Sequence, residues 1–246
     1  MPVPRDAWTT LVPDMNGPDG PLPPLLLGLT VLTGLVDAFS YLLLGRVFVA
    51  NMTGNVVFMG FALAGAPGFS VLASAVALVS FLAGAWSGGI AVHRAGADRG
   101  RQLRRALLVE TACVACALTV SLVSGGPYTG GVRFTLIALL GLGLGVQNAA
   151  VRALAVPDLT TTVLTRTLTG TVADSRLAGG PGSRAGRRGL SAAAMLAGAV
   201  AGGLAVLGDL RELPLAVALV ILLAAVAVTL LPGRGDTPWT RRPVTA

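Results

Sequence analysis

Six stretches of this chain are apolar over the length a helix needs to cross a bilayer, about 20 residues. They are Leu25–Leu44, Phe69–Val92, Ala106–Val123, Phe134–Val151, Leu190–Gly208 and Leu213–Leu231. No other feature limits the fold as strongly. Inside hydrocarbon every backbone N–H and C=O must be satisfied within a helix or a closed barrel. These runs are long and continuous rather than short and alternating, which is the helical pattern. The fold class expected is an all-α integral membrane protein. Composition agrees, with 54% hydrophobic and 12% charged residues, against about 25% charged in a soluble domain.

The residue inventory excludes several chemistries. All 18 basic residues are arginine, and there is no lysine. A P-loop needs its lysine, as do Schiff-base and pyridoxal enzymes. One histidine, His93, and two cysteines, Cys113 and Cys116, are too few for a usual zinc site. No Gly-x-Ser-x-Gly nucleophile elbow occurs. The chain is therefore not expected to be an enzyme, and no catalytic residue, cofactor or metal is assigned. Its net charge of +7 is read as arginine collected in cytoplasmic loops, not as a nucleic-acid surface. The expected partner is the lipid bilayer. Glycines four apart, at Gly84/Gly88, Gly141/Gly145 and Gly198/Gly202, allow close helix contact. They serve the chain's own packing or a second copy equally well, so a homo-oligomer stays open.

Two segments are ambiguous. Residues 47–64 are apolar but short and contain Asn51, Thr53 and Asn55. Residues 158–174 are rich in threonine and carry Arg166, and a central arginine costs about 2.5–3.5 kcal/mol on insertion. Charge bias tests the options. With six spans and both termini inside, fourteen arginines lie inside and three outside; with eight spans the split is eight to nine. The positive-inside rule rejects eight spans. It does not separate six from seven, since letting 47–64 alone cross keeps fourteen to three.

An internal similarity favours six. Gly34-Leu35-Val36-Asp37-Ala38 matches Gly145-Val146-Gln147-Asn148-Ala149 at an offset of about 111 residues, and each is followed by an ambiguous segment. Asp37 then falls opposite Asn148, and Thr53 opposite Thr165 with a one-residue shift. Each half reads as three crossings plus one partial or re-entrant helix, so the second half is inverted relative to the first. Such inverted repeats with partial helices are a transporter design. The expectation is one transmembrane domain over 25–231, with halves of about 25–124 and 132–231. A flexible Pro-rich tail over 1–24 and a flexible basic tail over 232–246 would flank it. Seven spans is the alternative.

These motifs, together with Phe48-Val49-Ala50-Asn51-Met52-Thr53-Gly54-Asn55, resemble the YoaK-like family of bacterial membrane proteins of unknown function. The resemblance covers most of residues 25–231. It implies about six crossings and brings no activity, substrate or cofactor with it. Where such proteins commonly carry Thr-Gly in the second half, this chain has Thr165-Arg166.

The polar residues inside the apolar runs are the candidate site. Asp37 is the sharpest, because an acid in a transmembrane segment is costly and faces the bundle interior or water. It reads either as a coupling or selectivity carboxylate or as a hydrogen-bonded link between helices. Asn51, Thr53 and Asn55 read either as the wall of a solute site at a broken helix or as a capped turn, with Gly54 supplying an unusual backbone angle. Gln147, Asn148 and Thr165 would contribute from the second half. Glu110 reads as an ion pair with Arg104 or Arg105, and the two cysteines as small buried residues. Arg166 reads as snorkelling to the surface or pairing with Asp37 or Asp158. The function expected is movement of a small solute or ion, without ATP hydrolysis, in the bacterial plasma membrane with the C-terminus cytoplasmic. The alternative is a non-transporting scaffold or partner subunit whose polar residues are structural glue.

Overall fold

The computed structural model describes residues 3–15, 17–96, 98–156, 159, 164–173, 184–230 and 238–240. Among the described residues the regular elements are helices: α1 (Val3–Leu11), α2 (Leu22–Leu43), α3 (Met52–Leu63), α4 (Val71–Ala95), α5 (Arg99–Ser124), α6 (Gly130–Leu154), α7 (Leu164–Ala173), α8 (Ala185–Leu207) and α9 (Leu213–Leu230), then a 3-10 turn at Pro238–Thr240. Six of these, α2, α4, α5, α6, α8 and α9, are long and apolar enough to cross a membrane. The 12 residues of α3 and 10 of α7 reach only about 18 and 15 Å at 1.5 Å per residue. α3 falls short of a core of about 30 Å, as does the described part of α7.

Local chemistry sets the helix ends. Ser70 caps α4 by accepting from the Ala73 N–H at 3.2 Å, and Asp98 caps α5 through the Arg101 N–H at 2.8 Å. Pro23 and Pro24 sit in the first turn of α2, where a missing N–H costs nothing. α5 and α8 begin before their apolar runs, on turns carrying Arg99, Arg101, Arg187 and Arg188.

Two helices form the centre. α2 and α6 bury the largest share of their apolar windows, and Leu26, Leu29, Leu32, Phe39, Leu136 and Leu140 pack there at 1% exposure or less. The other spans turn apolar surface outward, including Val79 and Trp86 on α4, Val123 on α5 and Leu204 on α8. Apolar patches of this kind mark a membrane-facing surface.

The closest packing is α2 on α8 and α6 on α4. Glycine makes both possible. Gly198 lies against the Val31 carbonyl, and Gly202 against Leu35 and Ala38; Gly34 faces the Met195–Ala199 backbone. In the other pair Gly84 lies against the Leu142 carbonyl, Gly88 against Val146 and Ala149, and Gly145 faces the backbone of Phe81 and Ala85. In each pair the contacts advance along both chains together, so α2 is parallel to α8 and α4 to α6. Parallel α2 and α8 require an odd number of crossings between them. α4, α5 and α6 supply three; a crossing by α3 would make four. The register therefore removes the seven-span alternative.

The remaining contacts group the spans into two bodies. α9 packs on α2 and α8, and α5 packs on α6 and α4. The body α2–α8–α9 meets the body α6–α4–α5 chiefly through α9 and α5, and only thinly between α2 and α6. α3 lies on α4, and α7 on α8.

The described residues of both terminal segments pack on the spans. α1 lies against α8, where buried Asp6 accepts from the Arg187 N–H at 3.0 Å. Asp19 then pairs with Arg187 at 3.7 Å and with Arg99 at 3.6 Å. Arg99 is 3% exposed and donates to the carbonyls of Pro18 at 2.9 Å and Leu154 at 2.7 Å. Trp239 is buried against Gly20 and Gly100, which ties residues 238–240 to the same end. Arg99→Ala removes one donor group shared by both bodies. Charged hydrogen bonds contribute about 1.5–3 kcal/mol, so amide exchange over 3–21 is expected to accelerate about tenfold or more, as measured by hydrogen–deuterium exchange in nanodiscs.

Candidate functional site

Asp37 lies on α2, two turns before its end, and is 3% exposed. The chain leaves α2 at Leu44, turns through Gly45 and Arg46 at positive φ, and folds back so that residues 48–51 meet the carboxylate. Oδ1 accepts from the Val49 and Ala50 N–H groups, both at 3.0 Å. Oδ2 accepts from the Asn51 side-chain amide. One carboxylate thus satisfies backbone donors freed at the helix break, a requirement at membrane depth.

Asn55 repeats the device one turn into α3. It is fully buried, accepts from the Phe48 N–H at 2.9 Å and donates to the Phe48 carbonyl at 2.6 Å. Gly54 is helical, and its role differs from the unusual backbone angle expected. A Cβ there would sit 2.7 Å from Phe48 Cδ2, so glycine makes room for that ring. Phe48 stacks on Tyr41 at 5.0 Å between centroids, and Phe58 and Phe69 extend the cluster. Thr53 is exposed, outside this clasp. Asp37, Asn51 and Asn55 come together around backbone, with their hydrogen-bonding capacity largely used by it.

A second polar cluster lies between the two bodies. Glu110 on α5 is fully buried, as is Thr33 on α2, and Gln147 on α6 is 2% exposed. The Gln147 amide lies between them. With its nitrogen toward α5 it donates to Glu110 Oε1 at 2.8 Å and Oε2 at 3.1 Å, and its oxygen lies 3.3 Å from Thr33 Oγ1. With the amide reversed, the nitrogen donates to Thr33 Oγ1 at 3.3 Å. Thr33 itself donates to the Leu29 carbonyl at 2.9 Å.

Glu110 forms no ion pair with Arg104 or Arg105, a correction to the sequence expectation. At about 100° per residue, separations of five and six put those arginines on other faces of α5. The signal for the true partner was present as two polar residues, Glu110 and Gln147, each inside an apolar run. Only packing makes them adjacent. The cysteines divide as well: Cys113 is buried and Cys116 is exposed.

Asn148 is half-buried and donates to the Leu144 carbonyl at 2.9 Å. Thr165 and Arg166 lie within α7, with side chains outside the described residues, as is Asp158. Among the described residues no three His, Cys, Asp or Glu side chains gather to hold a metal ion.

The boundary between the bodies differs at its two ends. At one, Arg99 and Asp19 tie the start of α5 to the chain entering α2. At the other, a cavity of about 320 Å³ opens among Leu43, Pro127, Tyr128, Val206, Asp209 and Arg211. Tyr128 contacts Ser121 and donates to Glu212 Oε1 at 3.3 Å. Burial raises its hydroxyl pKa, which keeps it a neutral donor at the cavity wall.

Residues 25–228 match the family model described as "Protein of unknown function (DUF1275)". The chain is also 32% identical over 157 residues to the UPF0700 transmembrane protein YoaK of Bacillus subtilis (strain 168), a match covering 61% of this chain and 65% of that protein. No solved structure matches. With six apolar spans and a family match over almost the whole transmembrane region, the chain belongs to the DUF1275 family of polytopic membrane proteins of unknown function.

Proposed function

We propose that this protein moves a small solute or ion across the bacterial plasma membrane, without hydrolysing ATP and without enzymatic chemistry. The observation carrying this reading is a polar path along the boundary between the two bodies: an Arg99–Asp19 ion pair at one end, a cavity at the Tyr128–Arg211 end, and Thr33 and Gln147 bridging between. Polar groups buried along a boundary between two helical bodies, with a cavity at one end, suit a solute path of the alternating-access kind.

The glycine seams support an inverted repeat behind it. Val31, Leu35 and Ala38 on α2 correspond to Leu142, Val146 and Ala149 on α6 at an offset of 111, and Gly198 and Gly202 correspond to Gly84 and Gly88 at 114. The contacts of one seam map onto the other. α2 and α6 run antiparallel, since Arg99 joins the chain entering α2 to the end of α6. Each body then takes spans from both halves, and the bodies rock about α5 and α9. The Arg99 end, rich in arginine, faces the cytoplasm and keeps the C-terminus inside. The Asp37 clasp is structural in this reading and holds the turn between α2 and α3.

The test uses Thr33→Cys with Cys113→Ser and Cys116→Ser in the full chain. Position 33 is fully buried in this state. Rocking predicts labelling by impermeant thiol reagents from outside intact cells and also from the cytoplasmic face of inverted vesicles. Labelling from one face alone overturns alternating access. No labelling from either face, in folded and inserted protein, favours the rival scaffold reading, in which the polar clusters only join helices.

A further inference from the structure

We infer that Glu110 is a proton-binding site, and that Gln147 passes its protonation state to Thr33 across the boundary between the two bodies. The inference rests on the proposed rocking motion only for its consequence; the site itself stands on hydrogen-bond geometry.

Glu110 sits about 16 Å along α5 from Arg99, fully buried. Among the described residues no cation pairs with it. On its own helix the neighbouring titratable group is Cys113, which also lies against Gly143 of α6. α6 presents Gln147, and α2 presents Thr33. α9 has no charged residue along Leu213–Leu230. α4 carries its His93 and Arg94 in the last turn, near the start of α5.

The hydrogen-bond chain has two arrangements, and they differ by one proton. When Glu110 is ionised, the Gln147 nitrogen donates to both carboxylate oxygens and its carbonyl faces the Thr33 hydroxyl. Thr33 then has one hydrogen and two acceptors, the Gln147 oxygen and the Leu29 carbonyl. When Glu110 takes a proton from water, its O–H donates to the Gln147 oxygen. The amide nitrogen turns to Thr33 Oγ1, and Thr33 keeps its bond to Leu29. The Glu110 O–H, the Thr33 O–H and one Gln147 N–H then each have one acceptor. Proton uptake therefore completes the link between α6 and α2, and proton release weakens it. An amide is suited to this because it offers a donor at one edge and an acceptor at the other.

The sequence makes the site unusually easy to observe. Glu110 and Glu212 are the only glutamates. Full-length protein carrying carboxyl-¹³C glutamate in nanodiscs gives two isotope-shifted carboxyl signals by infrared difference spectroscopy, and Glu212→Gln identifies which belongs to Glu110. The expected result is a protonated carboxyl band from Glu110 that disappears reversibly as pH is raised. Gln147→Met should move its midpoint by about one pH unit or more, the scale of one hydrogen bond to a charged group. A Glu110 signal that never titrates while the protein stays folded overturns the proton site. A midpoint unmoved in Gln147→Met overturns the amide link. Neither result depends on labelling at position 33: a titrating Glu110 with a sealed Thr33→Cys leaves the proton site standing and removes transport.

Discussion

Asp37→Ala is expected to destabilise the protein by roughly 3–5 kcal/mol, the range for losing one partner of a buried hydrogen-bonded charge network. Three donors lose their acceptor together: the Val49 and Ala50 N–H groups and the Asn51 amide. Each unsatisfied buried donor costs about 1–3 kcal/mol. Asp37→Asn should be much milder. Its amide oxygen still accepts from the two N–H groups, while Asn51 turns its own oxygen toward the new amide nitrogen. Thermal unfolding of detergent-solubilised protein, followed by size-exclusion chromatography, separates these outcomes. A coupling carboxylate without the clasp predicts another pattern, with Asp37→Ala and Asp37→Asn both folded normally and flux lost in each. An Asp37→Ala protein as stable as the wild type would remove the clasp from this account.

The second large effect is expected at the glycine seams. In Gly198→Ala the new methyl overlaps the Val31 carbonyl oxygen, and in Gly84→Ala it overlaps that of Leu142. Backbone cannot move aside by changing rotamer, so the helices must separate, at a cost of about 1–3 kcal/mol each. Gly203→Ala is the control. It also sits on α8, but nothing lies within 4 Å of its added methyl, and helix propensity predicts a neutral or slightly stabilising change of up to about 1 kcal/mol. Unfolding in denaturing detergent should rank Gly198→Ala and Gly84→Ala together, well below Gly203→Ala. If Gly84→Ala alone is tolerated, the two seams are not equivalent and the inverted repeat loses its main support.

Much of this architecture was legible in the chain. Bilayer thickness demands about 20 apolar residues per crossing, and six runs meet that demand. The short α3 and α7 follow from the polar residues that interrupt their segments. Gly34 and Gly145 stood out at the head of two similar motifs, and each lies in a seam that needs a residue without a side chain. Asn51, Asn55 and Asp37 stood out because polarity in hydrocarbon is expensive and seldom idle.

What the chain alone left undecided is which polar groups meet. The sequence placed Asp37 and Asn148 in matching positions, yet Asp37 closes on a backbone turn while Asn148 donates to the Leu144 carbonyl of its own helix. Periodicity assigns a residue to a face of its own helix; it does not say which helix lies opposite. Glu110 looked paired with neighbours five and six residues away, whereas its partner comes from another helix 37 positions along the chain. The terminal segments likewise gained structure through Arg99, Arg187 and Asp19, contacts between residues far apart in sequence. Hydrophobic thickness acts on each segment separately, so sequence determined the spans. Parallel seams, the two bodies and the buried Glu110–Gln147–Thr33 chain depend on distances between segments, and only the tertiary structure decided them.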